Sequence, residues 1–412
     1  MQVRRFFAFS RIALLWAGAC LHAQTTLTID DAVRTALQNH PLLQERQQRS
    51  EVANGFALQA GLRPNPRLIT QSENWSLTGA PPQSIPTFTD QFLYLSQVFE
   101  TGAKRDRRVD LGRTGIVLAD LDRKLLERQI TTRVKLAYWG ALGTRRILEL
   151  WREDEANFAQ TIRYHQDRAR EGAIAEGDLL KVRLEGGRVS VAASSAALDA
   201  ERAEIALLRE MGQSEMVSLR LAGGLAVDAG SPPEMELAKA MEARTETRIA
   251  QQSIVQAKAN LSLQEAYAKP DVEVVAGYKR TAGFNTALWG FQFSLPVRNK
   301  NQGNIAAAGS AVRAAEHSLR AVENQIRAEV ATAMKDVEAR RAQLTGILAT
   351  SLEQAEESLR IARAAYLEGG TDLLRLLDAE RVHIELEVLN ARTQMEYRQS
   401  LVALEAALGQ YP

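Results

Sequence analysis

Cysteine is almost missing from this sequence of 412 residues, which has a single one, Cys20, close to its N-terminus. One thiol forms no intramolecular disulfide, so packing and assembly must hold the fold together. Beyond the N-terminus there is no run of about 18 apolar residues, and no transmembrane helix is predicted. The sequence also has no large excess of either charge, because it contains 51 basic and 50 acidic residues. This balance argues against nucleic acid as a partner.

Catalytic and metal-binding motifs are missing too. The sequence contains no P-loop, no HExxH, no GxSxG and no GxGxxG after a predicted strand, so we predict no enzyme activity and no cofactor. The histidines beyond the N-terminal segment have no neighbours at metal-ligand spacing, and no metal site is expected. We expect solvated or helix-surface side chains for all four of them, His40, His165, His317 and His383.

The N-terminus has the layout of a secretory signal peptide, predicted as residues 1–23. Three arginines, Arg4, Arg5 and Arg11, precede the apolar stretch Ile12–Ala19, and Ala23 offers a small residue for cleavage before Gln24. Two alternatives stay open. In the first alternative, the segment is an ordinary N-terminal helix. In the second, Cys20 is the lipid-anchored first residue of the mature chain.

Proline is missing from two long stretches, residues 87–231 and 297–411. Because proline inside a helix costs about 3 kcal/mol, very long helices can form there. In the second stretch apolar residues recur at steps of three and four, which predicts a coiled-coil-like helix over about 305–368, roughly 95 Å long, and a returning helix after it. The first stretch predicts a rising helix over about 117–164 and a returning helix over 179–211.

The prolines bracket a different pattern, in which β-branched and aromatic residues alternate with small or polar ones. A Pro-rich loop at residues 80–87 interrupts this pattern in the first half, and a turn at Gly283-Phe284-Asn285 interrupts it in the second. The predicted strands are Arg67–Ser76, Gln91–Phe99, Asp271–Thr281 and Thr286–Val297.

Both halves of the chain therefore have the order helix, strand, loop, strand, long helix, corner, long helix. This order indicates an internal duplication of roughly 200 residues. We predict a first structural repeat over residues 24–220, a linker over 221–233 and a second repeat over 234–412.

The corner of the second half lies in the segment YLEGGTDLLRLLDAER, residues 366–381. Gly369 and Gly370 are a predicted helix stop, because glycine takes the left-handed conformation that closes a helix end. Thr371 or Asp372 can then cap the next helix by accepting from its free N–H groups. The sequence thus predicts an αα-hairpin.

The corner of the first half has the same layout. Gly172 matches Gly369, and Asp178 matches Arg375 at the same offset. Acidic residues surround both corners: Glu171, Glu176 and Asp178 in the first, Glu368 and Asp372 in the second.

Strands of about ten residues with alternating aromatics fit one crossing of a tilted membrane β-strand. Four strands cannot close a barrel, and an open edge in lipid leaves backbone groups unpaired at several kcal/mol each. Three copies would pool about twelve strands, and their helices would stack into a tube roughly 100 Å long. In the alternative, a soluble hairpin decorates a coiled coil and its aromatics form a core. The candidate membrane aromatics are Phe92, Tyr94, Trp289, Phe291 and Phe293.

On these residues the chain resembles the TolC-like outer-membrane efflux proteins, and most of all their heavy-metal (CzcC-like) branch. The resemblance runs from about Leu27 to Gly409 and departs from the family at Thr101-Gly102-Ala103, where a double glycine is common, and at the polar Arg298–Asn301. The matching segments are LTIDDAVRTALQNHPLL (27–43), LSQVFETGAKR (95–105), YHQDRAREGAIAEGDLLKVRLE (164–185), KPDVEVVAGY (269–278), FSLPVRNKNQGNIAAA (293–308) and AAYLEGGTDLLRLLDAERVHIE (364–385).

The resemblance implies a mainly α fold with a small β part. Duplicated long α-hairpins would form a trimeric α-barrel that crosses the periplasm, and four strands per protomer would enter a twelve-stranded barrel in outer-membrane lipid. It also implies two partners, a periplasmic adaptor and an inner-membrane transporter of the RND type. In the family the corners form the periplasmic tip, so the candidate tip or gate residues are Gly172, Glu176, Asp178, Glu368, Gly369, Gly370 and Asp372.

From the sequence we expect a passive exit duct of a tripartite efflux system, which exports metal cations or small toxic solutes. Two rival functions stay open. One is a type I secretion duct for proteins, which shares the fold, and the other is a soluble periplasmic coiled-coil scaffold. Three copies of Asp372 would ring the aperture and favour cations there; the competing role for this residue is a helix N-cap.

Overall fold

The structure is a computed structural model, and it describes residues 26–74, 89–215, 219–226 and 237–410. The predicted signal peptide with Cys20, the Pro-rich loop at 80–87 and residues 227–233 of the predicted linker lie outside the described residues.

The described chain is mainly helical, with one small sheet. In chain order the elements are α1 (Ile29–Asn39), α2 (Pro41–Ala60), β1 (Arg67–Glu73), β2 (Asp90–Phe99), α3 (Lys104–Arg170), α4 (Glu176–Glu210), α5 (Leu237–Ala243), α6 (Thr245–Tyr267), β3 (Val272–Thr281), β4 (Phe284–Phe293), α7 (Gln302–Ala342), a π-helical turn (Gln343–Leu348), α8 (Ala349–Leu367) and α9 (Leu373–Ala407). Among the described residues, no helix is both long and apolar enough to cross a membrane.

Helix α3 is longer than the sequence pattern predicts, because it begins at Lys104 and has 67 residues, which is about 100 Å. Its first turns are rich in arginine and carry little apolar periodicity, so the prediction began only at Val117. Packing explains the extension. At Gly112 a Cβ would lie 3.0 Å from the Cα of Ala57, so α2 approaches the backbone of α3 closely there.

The predicted continuous helix over 305–368 is interrupted by the π-helical turn Gln343–Leu348. The seam residues Leu344, Leu348 and Leu352 follow each other at steps of four. A straight α-helix rotates such a stripe away from its packed face, and one wider turn returns it. Leu348 is buried at this turn, while Ile347 beside it is 74% exposed.

The sheet joins the two halves of the chain. Its strands are all antiparallel in the order β1-β2-β3-β4, and the central pairing of β2 with β3 connects a strand from each half. The turn between β3 and β4 consists of Ala282 and Gly283, which have φ angles of 49° and 85°. Two residues with positive φ make a hairpin turn that follows the twist of the strands. The predicted turn is therefore wrong by one to two positions, since Phe284 and Asn285 belong to β4.

The start of the described chain is fastened to the linker. Leu27 forms a parallel β-bridge with Leu221. The hydroxyl of buried Tyr138 on α3 donates to the carbonyl oxygens of Leu27 and Ala222, at 2.9 Å and 2.6 Å. The apolar cluster around Tyr138 comes from α1, α3 and the end of α4.

Equivalent positions of the two halves share unusual backbone geometry. Ala103 precedes α3 and Asn301 precedes α7, and both are left-handed, with φ angles of 59°. They lie in Thr101-Gly102-Ala103 and in Arg298–Asn301, the two segments where the sequence departs from the pattern of the family that it resembles. The shared geometry agrees with a duplication, although the boundaries of the two repeats remain a prediction.

We predict opposite effects for two glycine substitutions in α3. A Cβ at Gly143 would lie 2.4 Å from the sulfur of Met395 on α9, whereas a Cβ at Gly115 meets nothing within 4 Å. Gly143→Ala should therefore lower the free energy of unfolding by about 1–3 kcal/mol. Gly115→Ala should raise it by up to about 1 kcal/mol, because alanine is the better helix former. Urea unfolding followed by circular dichroism measures both, and equal effects would contradict the packing of α3 against α9.

Candidate functional site: the hairpin corners and the sheet

Both corners close their first helix with the same hydrogen bonds. At the end of α3, Gly172 has a φ of 71°, its N–H donates to the Ala169 carbonyl at 3.1 Å, and the Ala173 N–H donates to Arg168 at 2.8 Å. This pair of bonds is the Schellman motif, which needs a left-handed residue in its middle.

At the end of α8, Gly369 has a φ of 74°, and its N–H donates to Tyr366 at 3.2 Å. The Gly370 N–H donates to Ala365 at 2.8 Å, as Ala173 does to Arg168 in the first corner.

Only one of the two glycines at the second corner has the left-handed conformation that favours glycine. Gly369 has positive φ, but Gly370 does not, and a Cβ at Gly370 would meet only the Ala365 carbonyl at 3.5 Å, an ordinary contact. The predicted helix stop is therefore confirmed at Gly172 and Gly369. The expectation that Gly370 has the same role is wrong, because it occupies the position that Ala173 fills in the first corner.

The acidic residues at the corners have different local roles. Asp372 caps α9, since its carboxylate accepts from the Arg375 N–H at 3.0 Å, and this confirms the predicted cap. Glu176 and Asp178 lie in the first turn of α4, where the positive end of the helix dipole favours acids. Glu368 is the C-cap residue of α8 and is exposed. A role for these residues in a gate remains a prediction.

A buried histidine joins the two hairpins just before their corners. His165 on α3 is 1% exposed. Its Nδ1 lies 2.8 Å from the Thr161 carbonyl, which can only accept, so Nδ1 carries the hydrogen. Nε2 then accepts from the hydroxyl of Tyr366 on α8 at 2.9 Å, and the two rings are stacked. Burial raises the pKa of Tyr366, which keeps its hydroxyl hydrogen in place.

Sequence reasoning missed this contact. The expectation of a solvated or helix-surface side chain is wrong for His165, and also for His40, which is 8% exposed and caps α2. Among the described residues no group of three or more histidine, cysteine or acidic side chains could hold a metal ion.

An apolar cluster packs the hairpins together at the same level. Phe158 of α3, Val182 and Val189 of α4, and Leu373 and Leu377 of α9 are all buried in it. The first turns of α9 therefore rest on the first hairpin, directly after the second corner.

The sheet has two chemically different faces. The register places Trp289 opposite Ala276, Ala276 opposite Leu95 and Leu95 opposite Leu68, so these side chains share one face. Alternation along the strands adds further large residues to this apolar face. Its exposed large side chains are Leu68, Leu93, Leu95, Phe99, Tyr278, Trp289, Phe291 and Phe293.

The opposite, polar face carries charged groups. Arg67 donates to Glu273 at 2.6 Å, and Ser96 donates to the same carboxylate. Lys279 lies 4.9 Å from the ring centroid of Phe92.

The register divides the five candidate membrane aromatics between the two faces. Phe92 pairs with Lys279 and Tyr94 with Gly277, which places both on the polar face. Trp289, Phe291 and Phe293 lie on the apolar face, where they are between 56% and 75% exposed. The five candidate aromatics of the membrane strands therefore do not share one face of the sheet, and their place in a membrane remains a prediction. The sequence shows that β2 contains aromatic residues, but only the register shows which face of the sheet their side chains occupy.

Comparison with known proteins identifies the class of this fold. Residues 237–410 match the family described as outer membrane efflux protein. Over the whole chain the fold is similar to that of crystal structures of CusC, with a TM-score of 0.79 at 16% identity, covering 93% of this chain and 92% of that one. It is also similar to the outer membrane protein VceC from Vibrio cholerae, with a TM-score of 0.76 at 19% identity, covering 93% and 96% of the two chains. The family match and the shared fold support the predicted resemblance to the TolC-like outer membrane efflux proteins.

Within this class the chain is similar to the cobalt-zinc-cadmium resistance protein CzcC of Cupriavidus metallidurans. The two are 22% identical over 385 residues, which is 93% of this chain and 90% of CzcC. The prediction that the chain is not an enzyme is confirmed, because the proteins that it matches are channels.

We predict that the two glycines of the second corner tolerate alanine differently. Gly369→Ala forces a side chain into the left-handed region and should cost about 1–2 kcal/mol of stability. Gly370→Ala keeps an ordinary conformation and should change stability by less than about 0.5 kcal/mol. Thermal unfolding of the purified full chain compares the two variants. A larger loss in Gly370→Ala than in Gly369→Ala would contradict the assigned corner geometry.

Proposed function

We propose that this protein is the outer-membrane exit duct of a tripartite efflux system and assembles as a homotrimer. The observation that carries the proposal is the two-faced sheet, with its exposed apolar face and its two edge strands, β1 and β4, that have no neighbour in the described chain. Exposed apolar patches of this extent belong to interfaces or to membranes. Three such sheets supply about twelve strands, which is enough to close a barrel without free edges.

In the proposed barrel the apolar face contacts lipid and the polar face lines the interior. This orientation leaves the bonds of Arg67 and Ser96 to Glu273 in a water-filled space. It also sets Trp289, Phe291 and Phe293 against acyl chains or headgroups, where large apolar and aromatic side chains are stable.

A second exposed stripe supports assembly of the helical part. On α4, apolar residues recur every seven positions at Leu184, Val191, Leu198 and Ile205, and each is between 46% and 67% exposed. A heptad stripe of this kind is the seam of a coiled coil, and nothing in the described chain covers it. We infer that the helices of a second copy pack on it, so that three protomers form a continuous tube.

The substrate class follows from similarity alone. CzcC is named a cobalt-zinc-cadmium resistance protein. We propose that this duct exports divalent metal cations or other small toxic solutes. A periplasmic adaptor and an inner-membrane transporter of the RND type would supply the driving force, since a passive conduit performs no chemistry.

We predict that charge on one face of β4 prevents assembly and that charge on the other does not. Phe291→Arg places a charge on the apolar face, at a cost of up to about 2–4 kcal/mol per copy in the middle of a bilayer. Gln292→Arg places the same charge on the polar face at the neighbouring position. Each variant is expressed in a strain whose own gene is deleted. We then measure detergent-extracted trimer in the outer-membrane fraction and growth on cobalt, zinc and cadmium salts.

The expected result is loss of trimer and of metal tolerance in Phe291→Arg, with both retained in Gln292→Arg. A wild-type protein that is a stable monomer without detergent would overturn the duct and favour a soluble scaffold. A trimer whose loss affects protein secretion and not metal tolerance would overturn the proposed substrate class.

We predict that Asp372 contributes to cation selectivity at the tip, which we propose as its second role. Asp372→Asn removes the charge and keeps a good helix cap, so the corner should stay folded. If three carboxylates ring the aperture, the ratio of cation to anion permeability should fall roughly twofold or more. Reversal potentials in planar bilayers under a salt gradient measure this ratio. Asp336→Asn, an exposed acid on α7, is the control, and equal selectivity in the two variants would remove the gate role.

A further inference from the structure

Two partly buried carboxylates lie on helices that pack together where the two hairpins meet. Asp154 is on α3 in the first hairpin, and Glu380 is on α9 in the second. One oxygen of each, Oδ2 of Asp154 and Oε2 of Glu380, is buried and has no hydrogen-bond partner. The other oxygen of Glu380 accepts from Arg363 of α8 at 3.3 Å.

Charged groups reach this pair from all four long helices of the hairpins. On α4, Glu185 binds Arg188 at 2.6 Å, and Arg188 also approaches Glu385 at 3.8 Å. The remaining groups whose charge acts on the pair are His165 on α3, Arg363 on α8 and Glu387 on α9.

Acids outnumber bases around Asp154, and burial adds to their effect. Burial raises the pKa of Asp154, the charges of Glu380, Glu185 and Glu387 add to this effect and Arg188 opposes it, so that the pKa is about 6. Burial likewise raises the pKa of Glu380, against the opposing effects of Arg363 and His165. Two neighbouring carboxylates that each have one buried oxygen without a donor repel each other when both are ionised, so the pair is more stable when one of them is protonated.

We propose that Asp154 and Glu380 form a proton-linked contact between the two hairpins, which closes when one carboxyl is protonated and loosens when both are ionised. The contact lies in the same region as the apolar cluster of Phe158 and Leu377, where α9 rests on the first hairpin. Helix α8 contacts the first hairpin through the bond from Tyr366 to His165 and otherwise packs on α9, so loosening at Glu380 lowers the stability of both helices of the second hairpin.

The direction of the pH dependence follows from the raised pKa. In the separated hairpins both carboxyls are solvated and titrate near their ordinary value, so the closed contact binds more protons than the open one. The stabilisation is complete below about pH 4 and is lost as the pH rises through about 6. Acidification therefore tightens the contact, and neutral or alkaline pH loosens it.

Hydrogen exchange of the full chain in detergent tests the proposal. Protection factors, which remove the intrinsic pH dependence of amide exchange, are measured for residues 349–385 at about pH 5 and about pH 7.5. Each unit of pKa difference between the closed and open contact changes the opening equilibrium up to tenfold. Partial exposure of Asp154 reduces this effect. We expect protection to fall about tenfold between the two pH values in the wild type.

Asp154→Asn removes one charge of the pair and should keep high protection at both pH values. If Asp154→Asn fails to fold, Glu380→Gln serves as the second variant and should also keep high protection at both pH values. The control is Glu153→Gln, an exposed acid beside Asp154, which should keep the wild-type response. A response that persists in both Asp154→Asn and Glu380→Gln, or a wild type that shows none, would overturn the proposal. The measurement needs no transport activity, so its outcome is separate from that of the proposed function.

Discussion

The structure depends on a surface that one chain cannot cover. The sheet has an apolar face and two edge strands, and the helices that follow it continue away from its ends, so no described element packs on that face. Unpaired backbone groups and exposed aromatic rings are each costly, and a single protomer has no way to remove both costs. In the proposed trimer, identical copies would pair the edges, and contact with lipid would cover Trp289, Phe291 and Phe293. The trimer and the membrane location that we propose both follow from this one constraint.

The contact between the two long hairpins combines stable packing with groups that can respond to pH. Near the corners the join combines an apolar cluster, the buried bond between His165 and Tyr366, and the acidic pair Asp154 and Glu380. An apolar cluster alone gives a contact that responds little to solution conditions. Buried polar groups with incomplete hydrogen bonding would make the contact depend on protons, and they lie near the hairpin corners, where the proposed duct would open.

Equivalent positions of the two hairpins, in the duplication that the sequence predicts, share a backbone geometry and hold different residues. Gly172 and Gly369 both need a left-handed backbone, so both are glycine, whereas Ala173 and Gly370 share a position that any small residue can fill. Ala103 and Asn301 show that the left-handed position before each long helix is retained even where glycine is not.

The sequence by itself determined most of the elements, the corners and the resemblance to the efflux proteins, because these depend on local chemistry. Prolines bounded the long helices, glycines closed them, and Asp372 was recognisable as a cap from its place after the corner. Only the tertiary structure decided which residues face which surroundings. The register of β2 against β3 turned Phe92 and Tyr94 away from Trp289, the packing of α2 extended α3 to Lys104, and the meeting of the hairpins buried His165 against Tyr366. Those outcomes depend on contacts between residues far apart in the chain, and no local pattern carries such contacts.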